Sequence, residues 1–539
     1  MNKIGKNLGG AAILIVALFV FYKIGQIAAL KKCAQTVNIY RNTVESAMNG
    51  KVVKLMNAID QLYVDSIDMD TLAESVLPEI MAHLDPHSAY YPVEETQQSN
   101  DELHGSFSGI GIQFTIREDT IHVNNVIHGG PSEKVGIFAG DRIVTIDDSV
   151  YVGKKINSDK AVKMLKGPTG SHVVVGIKRA ECDSLISFDI ERGPIPVRSV
   201  DAAYMMENNI GYIRLTLFGE TTYSEMMSKI SELKAQGCEK LVIDLRDNVG
   251  GYLGAAIQIC NEFLAKGRTI VYTEGVHSPK EIQKADGRGH FKNLPIVILI
   301  NEGTASASEI FSGAMQDNDR AFIVGRRSFG KGLVQQSIDF SDGSSIRLTI
   351  ARYHTPSGRC IQKPYENGEL EYEKDILYRY ERGEFFKEDS IKLDTSAVYK
   401  TVSGRTVYGG GGIMPDFFVA QDTIPYNEYY SRIVRASLTN DFAFKYVDKN
   451  RTKLSEFKST DALVFYLKEN NILDKFTEFA EQKDVKRGKS NIPQEIDNQI
   501  ERLVLANIIY DVLEMDNYAE FVNREDNTVL KAVEILSAE

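Results

Sequence analysis

Residues 295–310 read PIVILINEGTASASEI. Ile296, Val297, Ile298, Leu299 and Ile300 form a short apolar run with no polar interruption, the pattern of a strand covered on both faces. Asn301, Glu302, Gly303 and Thr304 end it with turn chemistry, and Ala305-Ser306-Ala307-Ser308-Glu309-Ile310 then opens a helix. Strand, tight turn and helix in succession predict an α/β layered domain. A serine at such a turn exposes its hydroxyl beside the free N–H groups of a helix start, where an oxyanion can be held. The same letters also fit a plain helix cap, with Ser306 or Ser308 at the N-cap and Glu309 completing a capping box.

The surrounding chain carries the same rhythm. Strand-like runs at 210–217, 240–245 and 269–273 are separated by helical patterns at 223–236 and 255–265. Before them, 103–191 reads as short Ile- and Val-rich strands (110–116, 120–126, 142–146, 172–178) with one helix at 158–165. Residues 37–83 have helical periodicity, closed by the turn Leu84-Asp85-Pro86-His87-Ser88. Beyond 425 the chain is charged and helix-rich, with Ile496, Ile500, Leu503 and Val504 on one face. The expected organisation is multidomain α+β: a membrane segment over 1–32, a helical arm over 33–100, a β-rich domain over 101–195, an α/β layered core over 196–420 and a helical region over 421–539.

A second stretch, GRRSFGKGLVQ at 325–335, gives the serine a partner. Glycines on both sides of Lys331 allow close backbone approach and burial of its amine. Burial disfavours the ammonium and turns a lysine into a general base near neutral pH. A neutral amine can take the proton of a serine hydroxyl as histidine does in commoner triads, and Gln335, four residues on, can orient it. The stretch also matches GxxxxGK, but Gly332 stands where a phosphate-binding loop needs Ser or Thr for magnesium, so nucleotide binding is not expected. His83 and His87 are four apart, but Pro86 between them breaks the helix a metal pair would need. The five cysteines have no CxxC or regular spacing, which excludes common zinc and disulfide frameworks. Neither a metal nor any other cofactor is implied.

Ala305-Ser306-Ala307-Ser308-Glu309, Phe329-Gly330-Lys331-Gly332 and Gln335 resemble the active-site motifs of the carboxyl-terminal processing (tail-specific) serine peptidases. The resemblance implies a ClpP/crotonase-like core with Ser306 as nucleophile, Lys331 as base and Gln335 as its orienting partner. Leu245-Arg246-Asp247-Asn248-Val249-Gly250-Gly251 is similar to the family's oxyanion loop, with Asp247 and Val249 in place of the usual Asn and Pro. It implies an oxyanion hole from the amides of Gly250 and Ala307. His354, in another stretch like a family signature, is a rival base with no vacancy to fill. Ser108-Gly109-Ile110-Gly111-Ile112 resembles the carboxylate-binding loop of PDZ domains, and Gly129-Gly130-Pro131 and Gly140-Asp141-Arg142-Ile143 support the likeness. Gly109, Ile110, Gly111 and Ile112 are therefore the expected peptide-binding residues, taking a carboxyl-terminal tail as an added strand. The implied activity is endopeptidase cleavage near protein carboxyl termini; the alternative is a non-catalytic PDZ scaffold on an inactive peptidase fold.

Bulk properties narrow the setting. The chain has 539 residues, 43% hydrophobic and 25% charged, enough for several packed domains. A net charge of −12 argues against nucleic acid as a partner. Lys3 and Lys6 precede an apolar run over 8–22, continued by 24–30, which reads as an export signal. Retention as an anchor is preferred to the alternative of a removed signal, because no clean cleavage site follows. The expectation is a membrane-anchored protein of the cell envelope, its enzyme domains outside the cytoplasm (periplasmic), with homo-oligomerisation left open.

Overall fold

The computed structural model describes residues 49–539, apart from 118, 148, 154, 155, 180, 181, 183, 393, 488–491 and 539. The expected membrane segment over 1–32 lies outside the described residues. Among those described, no helix is long and apolar enough to cross a membrane. Two compact units divide at His83 and Leu84. In the first, α1 (Asn49–Leu62) precedes α2 (Met69–Ala82), which Asp68 caps by accepting from Asp70 N–H at 3.2 Å. These two helices lie within the expected arm, whose residues after His83 belong to the second unit.

That unit begins with β1 (Ala89–Tyr91), α3 (Val93–His104) and β2 (Ser106–Gly109). Then come β3 (Ile112–Arg117), β4 (Thr120–Val126), α4 (Pro131–Val135), β5 (Arg142–Ile146), β6 (Ser149–Val150), α5 (Ser158–Leu165), β7 (His172–Lys178), β8 (Ile186–Glu191) and β9 (Gly193–Pro196). β3, β4, β5, β7 and β8 form an antiparallel sheet in that order, which leaves β3 at an edge. Ile121, Val123, Ile143, Val175 and Ile177 form its buried face, and Ala161 and Leu165 of α5 share that core with Ile112 and Phe114 of β3. The nearly buried Arg192 closes α5 from below, donating to the carbonyls of Met164 and Leu165 at 2.8 and 3.1 Å.

The layered core follows: β10 (Val200–Met205), β11 (Ile210–Leu215), α6 (Thr222–Ala235), β12 (Lys240–Asp244), α7 (Leu253–Phe263), β13 (Thr269–Glu274), β14 (Glu281–Lys284), β15 (Ile296–Ile300), α8 (Ala307–Asp317) and β16 (Phe322–Gly325). Next are β17 (Leu333–Asp339), β18 (Ser345–His354), α9 (Glu369–Glu381), β19 (Val398–Lys400), β20 (Thr406–Tyr408) and β21 (Phe417–Phe418). The main sheet runs β10-β11-β12-β15-β16-β21, parallel except at its first pair. Alternation decides its faces. Leu241, Ile243, Ile296, Ile298 and Ile300 meet α6, α7 and α8, while Val242, Val297 and Leu299 point the other way. A second sheet, β1-β18-β13-β14 with β17 also on β18, draws in the strand just after the Leu84–Ser88 turn.

The carboxyl-terminal region comprises α10 (Glu428–Arg435), α11 (Leu438–Leu454), α12 (Thr460–Glu469), α13 (Ile472–Gln482), α14 (Gln494–Val512), α15 (Met515–Asn523) and α16 (Asn527–Ala538). α10 to α14 have their own core, including Phe442, Leu463, Phe476, Ile500 and Ile509. α15 and α16 do not. Their Ala519, Val529, Ala532 and Leu536 cover Val242, Val297, Leu299 and Val324, the second face of the main sheet.

Candidate active site

β15 delivers the chain to a turn whose geometry is costly. Ser306 has φ 55° and ψ −116°, a conformation that L-residues rarely adopt. Its N–H donates to Glu309 Oε2 at 2.9 Å, the backward half of a capping box. Ser306 is thus the N-cap of α8, with Glu309 completing the capping box, so the capping role and the exposed turn position belong to the same residue. Ser308, the other serine of the motif, is fully buried and donates to Asn248 O at 3.0 Å, which removes it as a nucleophile.

Lys331 is joined to this turn by two buried side chains. Glu309 Oε2 also accepts from Lys331 N–H at 2.9 Å, while Oε1 accepts from Gly330 N–H at 2.7 Å and Ser328 Oγ at 2.5 Å. The Tyr353 hydroxyl lies 3.1 Å from Ser306 O and 2.6 Å from Lys331 O, its one proton shared between them. Phe329 N–H adds a bond to Thr304 O at 2.9 Å. The flanking glycines are needed for approach: a Cβ on Gly332 would lie 2.8 Å from Gln362 N, and Gly330 holds φ +93°.

Burial, with help from the Arg347 charge, lowers the Lys331 pKa to about 8, against the opposing pull of Asp85 and Glu309. Its Nζ donates to Gln335 Oε1 at 2.8 Å. A register shift between Val334 and Gln335 in β17 re-aims that side chain. Gln335 in turn donates through Nε2 to His87 O. The turn read only as a segment end therefore reaches the site. Asp85 holds it by accepting from His87 N–H, Ser88 N–H, Ser88 Oγ and Thr349 Oγ1 at 2.6 to 3.0 Å. The His87 ring meets Tyr372 Oη at 2.6 Å, and burial lowers its pKa to about 4. Asp85, His87, Glu309, Tyr353 and Tyr372 thus support the pair; of these, only Glu309 and Tyr353 stand in stretches that resemble family signatures.

The oxyanion loop differs in detail from the expectation. Gly250 packs against the serine turn so closely that a Cβ would lie 2.8 Å from Ala305 O and from Ala307 N, and its φ is +103°. Its own N–H, however, donates to Asn248 Oδ1 at 2.9 Å. The amides of Ala307 and Gly251 have no acceptor among the described residues. Asn248, fully buried, ties the loop to the turn by accepting from Ala305 N–H at 3.0 Å. His354 is occupied elsewhere, stacked on Tyr272 at 4.6 Å with Nδ1 facing Gly358 O.

In the β-rich domain, Gly109 ends β2, and Ile110 and Gly111 bridge to Ile112 at the start of β3. The carbonyls of Ile110 and Gly111 are taken by Ser132 and Ile127 N–H, at 2.9 and 3.0 Å. Their own amides have no acceptor among the described residues and stand beside the unpaired edge of β3.

With this geometry in place, the likeness to known proteins has a physical basis. Residues 209–371 match Peptidase family S41 and 108–190 match the PDZ domain family. The chain is 35% identical over 386 residues to a carboxy-terminal-processing protease of Bartonella bacilliformis, covering 70% of this chain and 86% of that one. It belongs to the carboxy-terminal-processing protease family. The carboxy-terminal processing protease CtpA of Bacillus subtilis is 34% identical over 322 residues, 59% of this chain and 68% of that one. Among solved structures, a photosystem II D1 C-terminal processing protease is 28% identical, covering 57% of this chain and 89% of that one at a TM-score of 0.32. The protease is thus a serine peptidase with a PDZ domain. Residues 429–514, outside the peptidase match, correspond to a family of unknown function.

Proposed function

We propose that this protease cleaves proteins near their carboxyl termini with a Ser306–Lys331 pair, on tails delivered by its PDZ domain. Lys331, neutral above about pH 8, takes the Ser306 hydroxyl proton as Oγ attacks the scissile carbonyl. The tetrahedral oxyanion is met by the unengaged amide of Ala307 and by the glycine loop, to which Gly250 contributes only by giving up Asn248 Oδ1. Collapse expels the new amine, which takes the proton back from Lys331 and leaves an acyl-Ser306 ester. Water then attacks the ester with Lys331 again as base, releasing the acid and restoring the serine. Gln335, anchored on His87 O, keeps the amine aimed. The observation that carries the reading is the joint bracing of Ser306 and Lys331 by Glu309 and Tyr353.

Tail capture is supported by the unengaged amides of Ile110 and Gly111 beside the edge of β3, a nest for a terminal carboxylate with a strand to extend. The apolar run over 8–30 supports anchoring at the cell envelope, with the catalytic domains on the outer side. The test compares wild type, Ser306→Ala and Lys331→Arg on an unfolded reporter with an apolar carboxyl-terminal tail. Both variants should lose turnover while still binding a fluorescent tail peptide, the first for want of the nucleophilic hydroxyl and the second because a guanidinium cannot act as a neutral base. Full turnover by either variant rejects the mechanism.

A further inference from the structure

The helical region of unknown role touches the PDZ domain along one line. Asp441, Phe444 and Asp448 recur at steps of three and four, so they share one face of α11, and Arg451 follows just past a kink at Asn450. Arg117, the last residue of β3, donates to Asp441 Oδ1 at 2.6 Å and lies 4.8 Å over the Phe444 ring. His122 of β4 meets the same ring edge-on at 4.9 Å. Arg142, at the start of β5, donates to Asp448 Oδ2 at 2.9 Å. Arg451 lies against Gly140, where a Cβ would come 2.8 Å from its Nε. Phe444 is 8% exposed, so this is a packed junction and not a pair of surface charges.

The other end of the region is built into the peptidase. α11 packs on α14 around a common core, and α14 runs on to α15 and α16 beneath the main sheet. Asp516 accepts from Ala203 N–H at 2.9 Å, and Asn523 donates to Tyr204 Oη at 2.9 Å. Asp526 binds Arg246 of the oxyanion loop at 2.7 Å while accepting from the first amides of α16. One continuous helical body therefore holds the tail-binding domain at one end and the catalytic sheet at the other.

We infer that residues 428–538 are a brace that fixes the PDZ domain at one distance and orientation from Ser306, so that cleavage falls at a set span from the bound carboxyl terminus. The inference rests on the proposed tail recognition. Its physical basis is effective concentration: a scissile bond tethered through a bound tail reaches the serine most often when the span between the two sites is fixed and matched to the chain between them. Without the brace, the PDZ domain would still bind tails. Its two links and the Lys163–Glu94 and Lys166–Asp101 ion pairs, between the end of α5 and α3, would hold it to the core but leave it freer to swing.

Charge reversal at the dock tests this, because each half-exposed ion pair is weak alone but repulsion opens the junction. Arg142→Glu, Asp448→Arg and the double exchange would be assayed on an unfolded reporter ending in an apolar tail, on the same reporter ending in aspartates, and on a short tail-free peptide. Cut positions would be mapped by mass spectrometry. Each single variant should lose about tenfold in kcat/KM on the tailed reporter and spread its cuts. Turnover of the tail-free peptide and affinity for a fluorescent tail peptide should stay unchanged, and the double exchange should restore rate and cut pattern. Arg142→Gln with Asp448→Asn gives a milder opening if a reversal fails to fold. Singles that keep the wild-type rate and cut pattern overturn the brace, as does a double exchange that restores neither. A wild type that cuts tailed and aspartate-ended reporters alike overturns tail recognition and the brace together, whereas intact tail preference in the single variants overturns the brace alone.

Discussion

At the scale of the residue, two titrating groups set the pH response, with opposite signs. Lys331 has its pKa lowered from 10.5 to about 8 by burial and Arg347, so the neutral base accumulates as pH rises through about 8. kcat/KM should climb over that interval in a pH–rate profile, then level off. The same shift affects stability: as pH falls from 10.5 towards 8 the unfolded chain takes up a proton that the folded one holds less tightly, so stability is lost across that window. Urea titrations of Lys331→Met should lack this dependence. Glu309 shows the reverse case, its pKa raised from 4.5 to about 7 by burial despite four donors. Its stabilising share is complete below 4.5 and is lost as pH rises through 7. Glu309→Gln keeps one acceptor oxygen and turns an amide NH2 towards two of those donors. Each donor left unpaired should cost about 1–3 kcal/mol, read as a lower Tm, and kcat should fall as Ser306 and Lys331 lose their common anchor.

At the scale of the element, the turn before β1 decides where Gln335 points. Asp85 accepts three hydrogen bonds within that turn and one from Thr349 of β18, and the His87 carbonyl it presents is the outer support of the glutamine. Asp85→Ala should reduce kcat about tenfold or more through misalignment of the base, with tail-peptide affinity unchanged by fluorescence anisotropy. The sequence showed this stretch as a turn because Pro86 and Asp85 are turn residues. Its role was hidden because β1 pairs with β18, more than 250 positions away. The shift that re-aims Gln335 is hidden for the same reason: it belongs to the pairing of β17 with β18 and leaves no mark in the letters of β17.

At the scale of the whole molecule, the helical carboxyl-terminal region is part of the peptidase, not an appendage. Leu536 of α16 is fully buried with Val297 and Leu299 from the strand that leads to Ser306. Leu536→Ala should destabilise the protein by about 2–5 kcal/mol in urea unfolding, the usual cost of a large cavity in a packed core. A surface helix would lose almost nothing from the same change, so the measurement separates the two arrangements.

The sequence by itself determined the layered core and the PDZ-like domain, and it singled out Ser306 and Lys331 as the candidate pair. Those rest on local signals: an apolar run of strand length, turn residues at fixed offsets, glycines beside the lysine and a motif spacing that the family shares. Tertiary structure decided the rest. The commitment of Gly250 N–H to Asn248, the shared anchoring on Glu309 and Tyr353, the entry of His87 into the site and the cover that α16 gives the main sheet all depend on groups distant in sequence meeting in space. A buried hydrogen bond or a filled sheet face is a property of two surfaces, and the chain states each surface without stating which one it will meet.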